Sequence, residues 1–292
     1  MARPSSLNVA RIAIISLFAE AQQKIYSQAM LAQILRANRS KWKLAASIRL
    51  ADFIALLEKH ELKQQILSAE PYDRKIVRYS WGKVTPYELA LSITERAYLS
   101  HATAAALHGL IKLPRNEIYL NLEQSPKPAG GGSLTQESID RAFAAKQRRS
   151  NLVYKNGRTS VTIIAGKNTN RLGVERLICQ FENIWATNLE RTLVDMVVRP
   201  AYAGGPSQLI KAYRGARDKV SVNKLVAVLK QLQYVYPYHQ PIGFLMERAG
   251  YSEDHLTQLR ALGLDFDFYL THGMQETNYS ETWRLFYPQG LR

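Results

Sequence analysis

The sequence is short of cysteine, of acidic residues and of long apolar runs, and each shortage excludes something. Cys179 is the single cysteine in 292 residues, so neither an internal disulfide framework nor a Cys-rich zinc site can form. Beside Ile178 and Phe181 it reads as a small buried apolar residue rather than a reactive thiol. No apolar run approaches the ~18 residues that span a bilayer. Arg3, the eight-residue run at 12–19 and Ala19-Glu20-Ala21 imitate a leader, but Arg11 abuts the run and Ser16 interrupts it. A first helix with one buried face, in a reducing cytoplasmic setting without membrane attachment, is the expectation.

What is present is positive charge. Lys and Arg number 39 against 24 Asp and Glu, a net charge of +15 and a pI near 9.8, which point to a polyanionic partner. Hydrophobic residues at 46% and charged residues at 22% sit near the globular average and exclude wholesale disorder. The length suits two domains of roughly 100–200 residues each. Residues 1–85 carry 14 Lys+Arg and 6 Asp+Glu, a net +8, whereas the remaining 207 carry 25 and 18, a net +7. A small basic module, 1–85, followed by a larger domain, 86–292, is the predicted organisation.

The basic module has a definite predicted order. Residues 9–21 place Ile12, Ile15, Phe18 and Ala19 at helical spacings. Ser27 is an N-cap for a second helix with Met30, Leu31, Ile34 and Leu35 on its apolar face. A third helix carries Leu44, Ile48, Leu50, Phe53, Ile54 and Leu57 as its stripe. Strand-like 62–67 and 75–80 then flank a turn at Pro71-Tyr72-Asp73-Arg74. Three helices and a hairpin are the element order of a winged helix-turn-helix. In that fold a recognition helix enters the major groove, and neighbouring basic residues and the wing hold the backbone. Arg49 is the candidate base contact, with Ser47 beside it on the early turns of helix three; Arg39, Lys41 and Lys43 approach that helix, and Arg74 and Lys75 sit on the wing. The partner so predicted is double-stranded DNA.

Beyond a boundary near 82–86 the sequence predicts an α+β domain. Helices are expected at 86–92 and at 100–108, the latter capped by Ser100 and ended by Gly109. Residues 117–123 alternate as a half-buried strand, 125–132 read as a loop, and Ser133 with Gln136 opens a helix to about Arg149. Asn156-Gly157 signals a type I′ hairpin. Strand-like 173–177 and 184–186 follow, and Thr187 with Glu190 forms a capping box for 188–198, which Pro200 stops. Helices at 207–216 and 222–232 precede a tail of two short helices and strand-like 266–270 and 283–287.

Catalytic and cofactor signals are sparse. Gly130-Gly131-Gly132 lacks the phosphate-loop context, and no nucleophile elbow or dinucleotide fingerprint occurs. His101 and His108 share a helix face without the further ligands zinc requires. Asp265 and Asp267, on one face of a strand, outline an alternative reading as a metal-dependent nuclease, but no Glu-x-Lys accompanies them. Arg191 and Asp195 are spaced to pair, and buried they would fix how their helix docks. No enzyme, cofactor or metal site is therefore expected.

Two segments carry a resemblance: Ser100-His101-Ala102-Thr103-Ala104-Ala105-Ala106-Leu107-His108-Gly109-Leu110, and Thr187-Asn188-Leu189-Glu190-Arg191-Thr192-Leu193-Val194-Asp195 with Arg199-Pro200 and Gly204-Gly205. Together they resemble the signature segments of AbiEi-type antitoxins, the regulators of type IV toxin–antitoxin and abortive-infection systems. The resemblance covers nearly the whole chain. It implies binding to promoter inverted repeats, repression of the protein's own operon, and counteraction of a nucleotidyltransferase toxin without a stable complex. Ser100, His101, Leu107, Gly109, Glu190, Arg191, Thr192 and Asp195 would be framework positions of the antitoxin domain. Residues 1–85 follow no strict family pattern.

Overall fold

A computed structural model describes residues 5–114, 116–126, 133–179 and 182–291; of Cys179, Glu182 and Asn183 it describes the backbone alone, and the Gly130–132 loop lies outside the described residues. The chain is mixed α+β and divides into two compact units, Met1–Glu95 with Leu152–Ser160, and Arg96–Asn151 with Val161–Arg292. The first unit thus extends past 85. Arg78 is the reason: its guanidinium donates to the carbonyls of Ser92 (2.9 Å) and Ile93 (3.3 Å), tying residues 86–95 to the strand that bears it.

In the first unit α1 (Ser6–Val9) and α2 (Arg11–Glu20) precede the short strand β1 (Ile25–Tyr26), then α3 (Gln28–Asn38) and α4 (Leu50–Glu58). The hairpin β2 (Leu62–Ala69) and β3 (Arg74–Trp81) follows, with α5 (Pro86–Leu91) closing the segment. β1 and β2 both pair antiparallel to β3. Ser27 caps α3 by accepting the N–H of Met30 at 3.2 Å, as its side-chain chemistry predicts. The apolar interior gathers Phe18, Tyr26, Phe53 and Trp81, with Phe18 5.1 Å from Tyr26 and 5.3 Å from Trp81 between ring centres.

Two expectations in this unit are corrected. The buried face of α2 is Ile14 and Phe18, and Ile12 is 73% exposed. Apolar residues surround this helix, so spacing alone does not select a face; Leu7, Ala10, Ile14 and Phe18, at steps of three and four, reach the core. The third helix begins at Leu50 rather than near Leu44. Residues 39–49 instead form turns, with Lys43 at φ 51° and Trp42 and Leu44 buried.

The second unit continues with β4 (Tyr98–Leu99), α6 (His101–Leu107), β5 (Glu117–Glu123) and α7 (Gln136–Ala144). Next come β6 (Val153–Asn156), which belongs to the first unit and pairs with β2, and β7 (Thr159–Gly166), most of which belongs to the second. β8 (Val174–Cys179), β9 (Glu182–Thr187) and α8 (Leu189–Val198) complete the sheet and its central helix. The remainder is α9 (Pro206–Ala216), α10 (Val222–Leu232), α11 (His239–Arg248), α12 (Glu253–Arg260), β10 (Phe268–Tyr269), β11 (Thr277–Ser280) and β12 (Leu285–Pro288). Sheet order in this unit is β7-β5-β4-β9-β8, with a separate β10-β12-β11 sheet.

Interior position overrides local pattern here too. β5 lies between β7 and β4, so Ile118, Tyr119, Leu120 and Asn121 are all buried instead of alternating. The turn after β6 is Gly157-Arg158, and of these only Gly157 has positive φ, 55°; that is the glycine-first turn, not type I′. Thr135, not Ser133, caps α7, accepting Ser138 N–H at 3.3 Å, and the helix stops at Ala144. Asn188, not Thr187, caps α8, its side chain accepting Arg191 N–H at 2.9 Å. Packing under the tail is close: a Cβ on Gly243 of α11 would overlap the Trp283 ring.

Candidate nucleic-acid interface

The connection between α3 and α4 is short, polar and braced from within. Arg39 donates to the carbonyls of Ala45 (2.6 Å) and Ile48 (2.7 Å). Its guanidinium therefore stiffens the turn and is not a free phosphate clamp. Ser6 Oγ accepts the N–H of Ala45 at 3.0 Å, fixing the same turn to α1. Lys41, Lys43 and Ser47 are exposed on it. Arg49 is exposed at the N-cap of α4, where its backbone N–H donates to Asp52 at 2.8 Å. Neither Ser47 nor Arg49 lies within a helical turn, because the helix starts later than the apolar stripe suggests. The exposed positions along α4 itself, Ala51, Asp52, Ala55 and Glu58, include no cation.

Arg74 and Lys75 are exposed on β3 beside the turn, across from Ala69 and Ser68. Arg74 lies 5.6 Å above the centre of the exposed Tyr72 ring. Left-handed Asp73, at φ 45°, turns the chain between the strands. Two further cations, Lys63 and Arg158, are exposed in this unit; Arg158 was readable in the sequence as the cation directly after Asn156-Gly157. With residues 86–95 and 152–160 included, the first unit carries 16 Lys+Arg against 8 Asp+Glu, and the second 23 against 16.

The resemblance segments meet in the second unit, in a buried polar centre. Arg191 donates to Asp195 at 2.7 Å, with the two side chains only 4% and 6% exposed. Arg191 also donates to Leu172 carbonyl (2.7 Å) and Thr169 hydroxyl (3.2 Å). Burial works against its charge, but Asp195, aided by Tyr98 and Tyr234, outweighs that and holds its pKa above the ordinary value. Burial raises the Asp195 carboxyl, with Arg191 opposing. Burial also acts to raise Glu123, yet hydrogen bonds from Thr169, Tyr98 and the Arg171 N–H outweigh it and hold that carboxylate below its usual range.

His101, at φ 52° on the first turn of α6, bonds through Nδ1 to Ser100 Oγ at 2.8 Å. Ser100 thus holds the histidine rather than capping the helix. Burial, then Arg199 and Arg191, push His101 well below its ordinary pKa, so its ring is neutral. His108 Nε2 meets the Thr187 carbonyl at 2.9 Å, linking the two signature segments. His101, Asn121, Arg191, Asp195, Arg199 and Tyr234 border a cavity of about 60 Å³, room for little more than a few waters.

Asp265 and Asp267 precede β10 and are not on a strand. Asp267 accepts hydrogen bonds from Arg284 (2.9 Å) and Tyr279 (2.6 Å), and these hold its pKa low. Among the described residues no group of three His, Cys, Asp or Glu is placed to hold a metal, and no helix is long and apolar enough to cross a membrane.

Fold and sites together define a mixed α+β protein of two units, one with its cations outward and one with a charged centre inside. No protein-family profile and no curated protein matches the chain. Its fold is similar to that in the crystal structure of the RV2827C protein from Mycobacterium tuberculosis, with a TM-score of 0.61 at 15% identity, over 98% of this chain and 93% of that one. At such identity the likeness is one of fold alone.

Proposed function

We propose that the chain is a cytoplasmic, sequence-specific double-stranded-DNA-binding repressor, with a winged helix-turn-helix as its first unit and an AbiEi-type antitoxin domain as its second. The observation that carries this reading is the order α2-β1-α3-α4-β2-β3, with β1 and β2 flanking β3. It is joined to an exposed cation set at the start of α4 and on the β2–β3 hairpin. Lys41, Lys43, Arg74 and Lys75 serve as phosphate contacts, which release counterions and dominate affinity. Ser47 and Arg49 lie at the N-terminal end of α4, the end that a recognition helix directs to base edges. Arg39 acts indirectly, by keeping the α3–α4 turn in shape.

In this reading the protein occupies inverted repeats in its own promoter and counteracts a nucleotidyltransferase-like toxin without a stable complex. The test is binding of the full chain to its own upstream DNA and to a random duplex at ~150 mM salt, where specific complexes are typically 10³–10⁷ tighter. Equal affinity for both would sink the proposal. Arg49→Ala is expected to narrow the gap between the two duplexes, while Lys75→Ala weakens both about equally.

A further inference from the structure

The 145–150 segment, expected as the end of α7, instead leaves the helix at the extended Ala145 and lies as irregular chain against the C-terminal end of α8. Three hydrogen bonds fix it. Gln147 donates to the Val198 carbonyl (3.3 Å) and accepts the Ala201 N–H (3.0 Å), and the buried Tyr202 hydroxyl accepts the Ser150 N–H at 2.6 Å. Just before and between these anchors the segment exposes Lys146, Arg148 and Arg149, the last 5.7 Å above the Tyr202 ring. Arg199 faces them from the end of α8, held by donating to the Ala165 carbonyl at 3.0 Å. The result is a cleft of about 600 Å³, inside the ~300–1,000 Å³ range of small-ligand sites.

Four cations line this cleft and none of its described lining residues is acidic. Of these cations Arg199 alone also faces a carboxylate, that of the buried Asp195. Lys146 and Arg148 make no ion pair or side-chain hydrogen bond with any described residue. A single phosphate, at about −2, would leave half of the positive charge unanswered, whereas two or three linked phosphates bring about −3 to −4. His272, stacked 4.1 Å from Phe143, adds a flat ring to the wall.

We propose that this cleft binds a small ligand with two or three linked phosphates, of nucleoside di- or triphosphate size, through Lys146, Arg148, Arg149 and Arg199. The site lies wholly within the second unit and is independent of the DNA-binding reading. It gives that unit an effector whose presence the chain can sense.

The experiment is calorimetric titration of the full chain at ~150 mM salt with inorganic pyrophosphate, ADP and inorganic phosphate, repeated on Arg148→Ala, Lys146→Ala and Lys75→Ala. Pyrophosphate and ADP are expected to bind at least tenfold more tightly than phosphate. Arg148→Ala should weaken both about tenfold, the loss of one charge-assisted contact, Lys146→Ala somewhat less, and Lys75→Ala not at all. Because Arg148 and Lys146 are exposed and unpaired, these variants keep the melting temperature of the parent. Absence of binding up to ~10 mM, or equal binding by Arg148→Ala, overturns the proposal. So does displacement of pyrophosphate by a 12-base-pair duplex at equal phosphate concentration, since the cleft would then be a polyanion track. Loss of operator binding in Lys75→Ala bears on the repressor reading alone.

Discussion

The two units dispose of charge in opposite ways. In the first, the buried polar and charged side chains among the described residues reduce to Ser80, and the interior is aliphatic and aromatic. In the second, Ser100, His101, Thr103, Asn121, Thr187, Arg191, Thr192, Asp195 and Gln240 are all buried. A unit stabilised by apolar burial is free to spend its cations on the surface, where a polyanion can reach them. A unit that encloses an ion pair needs every partner in place, because each unpaired buried charge is costly. The lesson is that a similar net charge in two units can support different tasks.

The contrast is sharpened first by Asp195→Ala, which leaves the Arg191 guanidinium buried without its partner. A loss of ~3–5 kcal/mol is expected in chemical denaturation, and replacing both residues by apolar ones should recover most of it. A loss below ~1 kcal/mol would break the comparison, since the second unit would not depend on its inward charge. Next comes the first unit's apolar interior. Ile14→Ala should cost ~2–5 kcal/mol, while Ile12→Ala, two positions away on the exposed side, should stay within ~0.5 kcal/mol. Equal costs for the two would return the buried face of α2 to Ile12.

Helix caps should be worth the same in both units. Ser27→Ala and Asn188→Ala are each expected to cost ~1 kcal/mol, measurable by urea midpoint at constant slope. The finest distinction is in pH. His101 is buried and neutral, its pKa pushed below 6.5; the unfolded chain therefore takes up protons first as pH falls below that value. The stability that neutral His101 represents is present above pH 6.5 and is lost as pH drops toward the depressed folded pKa. His239 and His272, also lowered by burial, act with the same sign. The first unit holds only the exposed His60. Hydrogen exchange at pH 5 and pH 7 should show protection falling in the second unit and not in the first, and His101→Gln should flatten the difference.

Legibility followed locality. Ser27 capping α3, the β2–β3 hairpin, Gly109 at φ 71° after α6 and Pro200 after α8 were all readable, because each depends on groups within a few residues. The Arg191–Asp195 pair was also visible as a spacing, since one helical turn brings such residues together. Hidden were the roles assigned at a distance. Arg39 is spent on two carbonyls and Ser100 on His101. Gln147 and Tyr202 pull 145–150 out of the helix its composition favours.

The sequence by itself determined where the chain is basic, where most helices and strands fall, and that no internal disulfide forms; these follow from composition and from contacts three or four residues long. Only the tertiary structure decided which face of α2 is core and that α4 starts at Leu50. It also decided which cations are free: Arg39 bonds carbonyls and Arg191 meets Asp195 inside, while Arg148 stands open beside Arg199. The reason is desolvation. A cation stays available where water still reaches it, and it is consumed wherever packing removes the water and supplies a carbonyl or carboxylate instead.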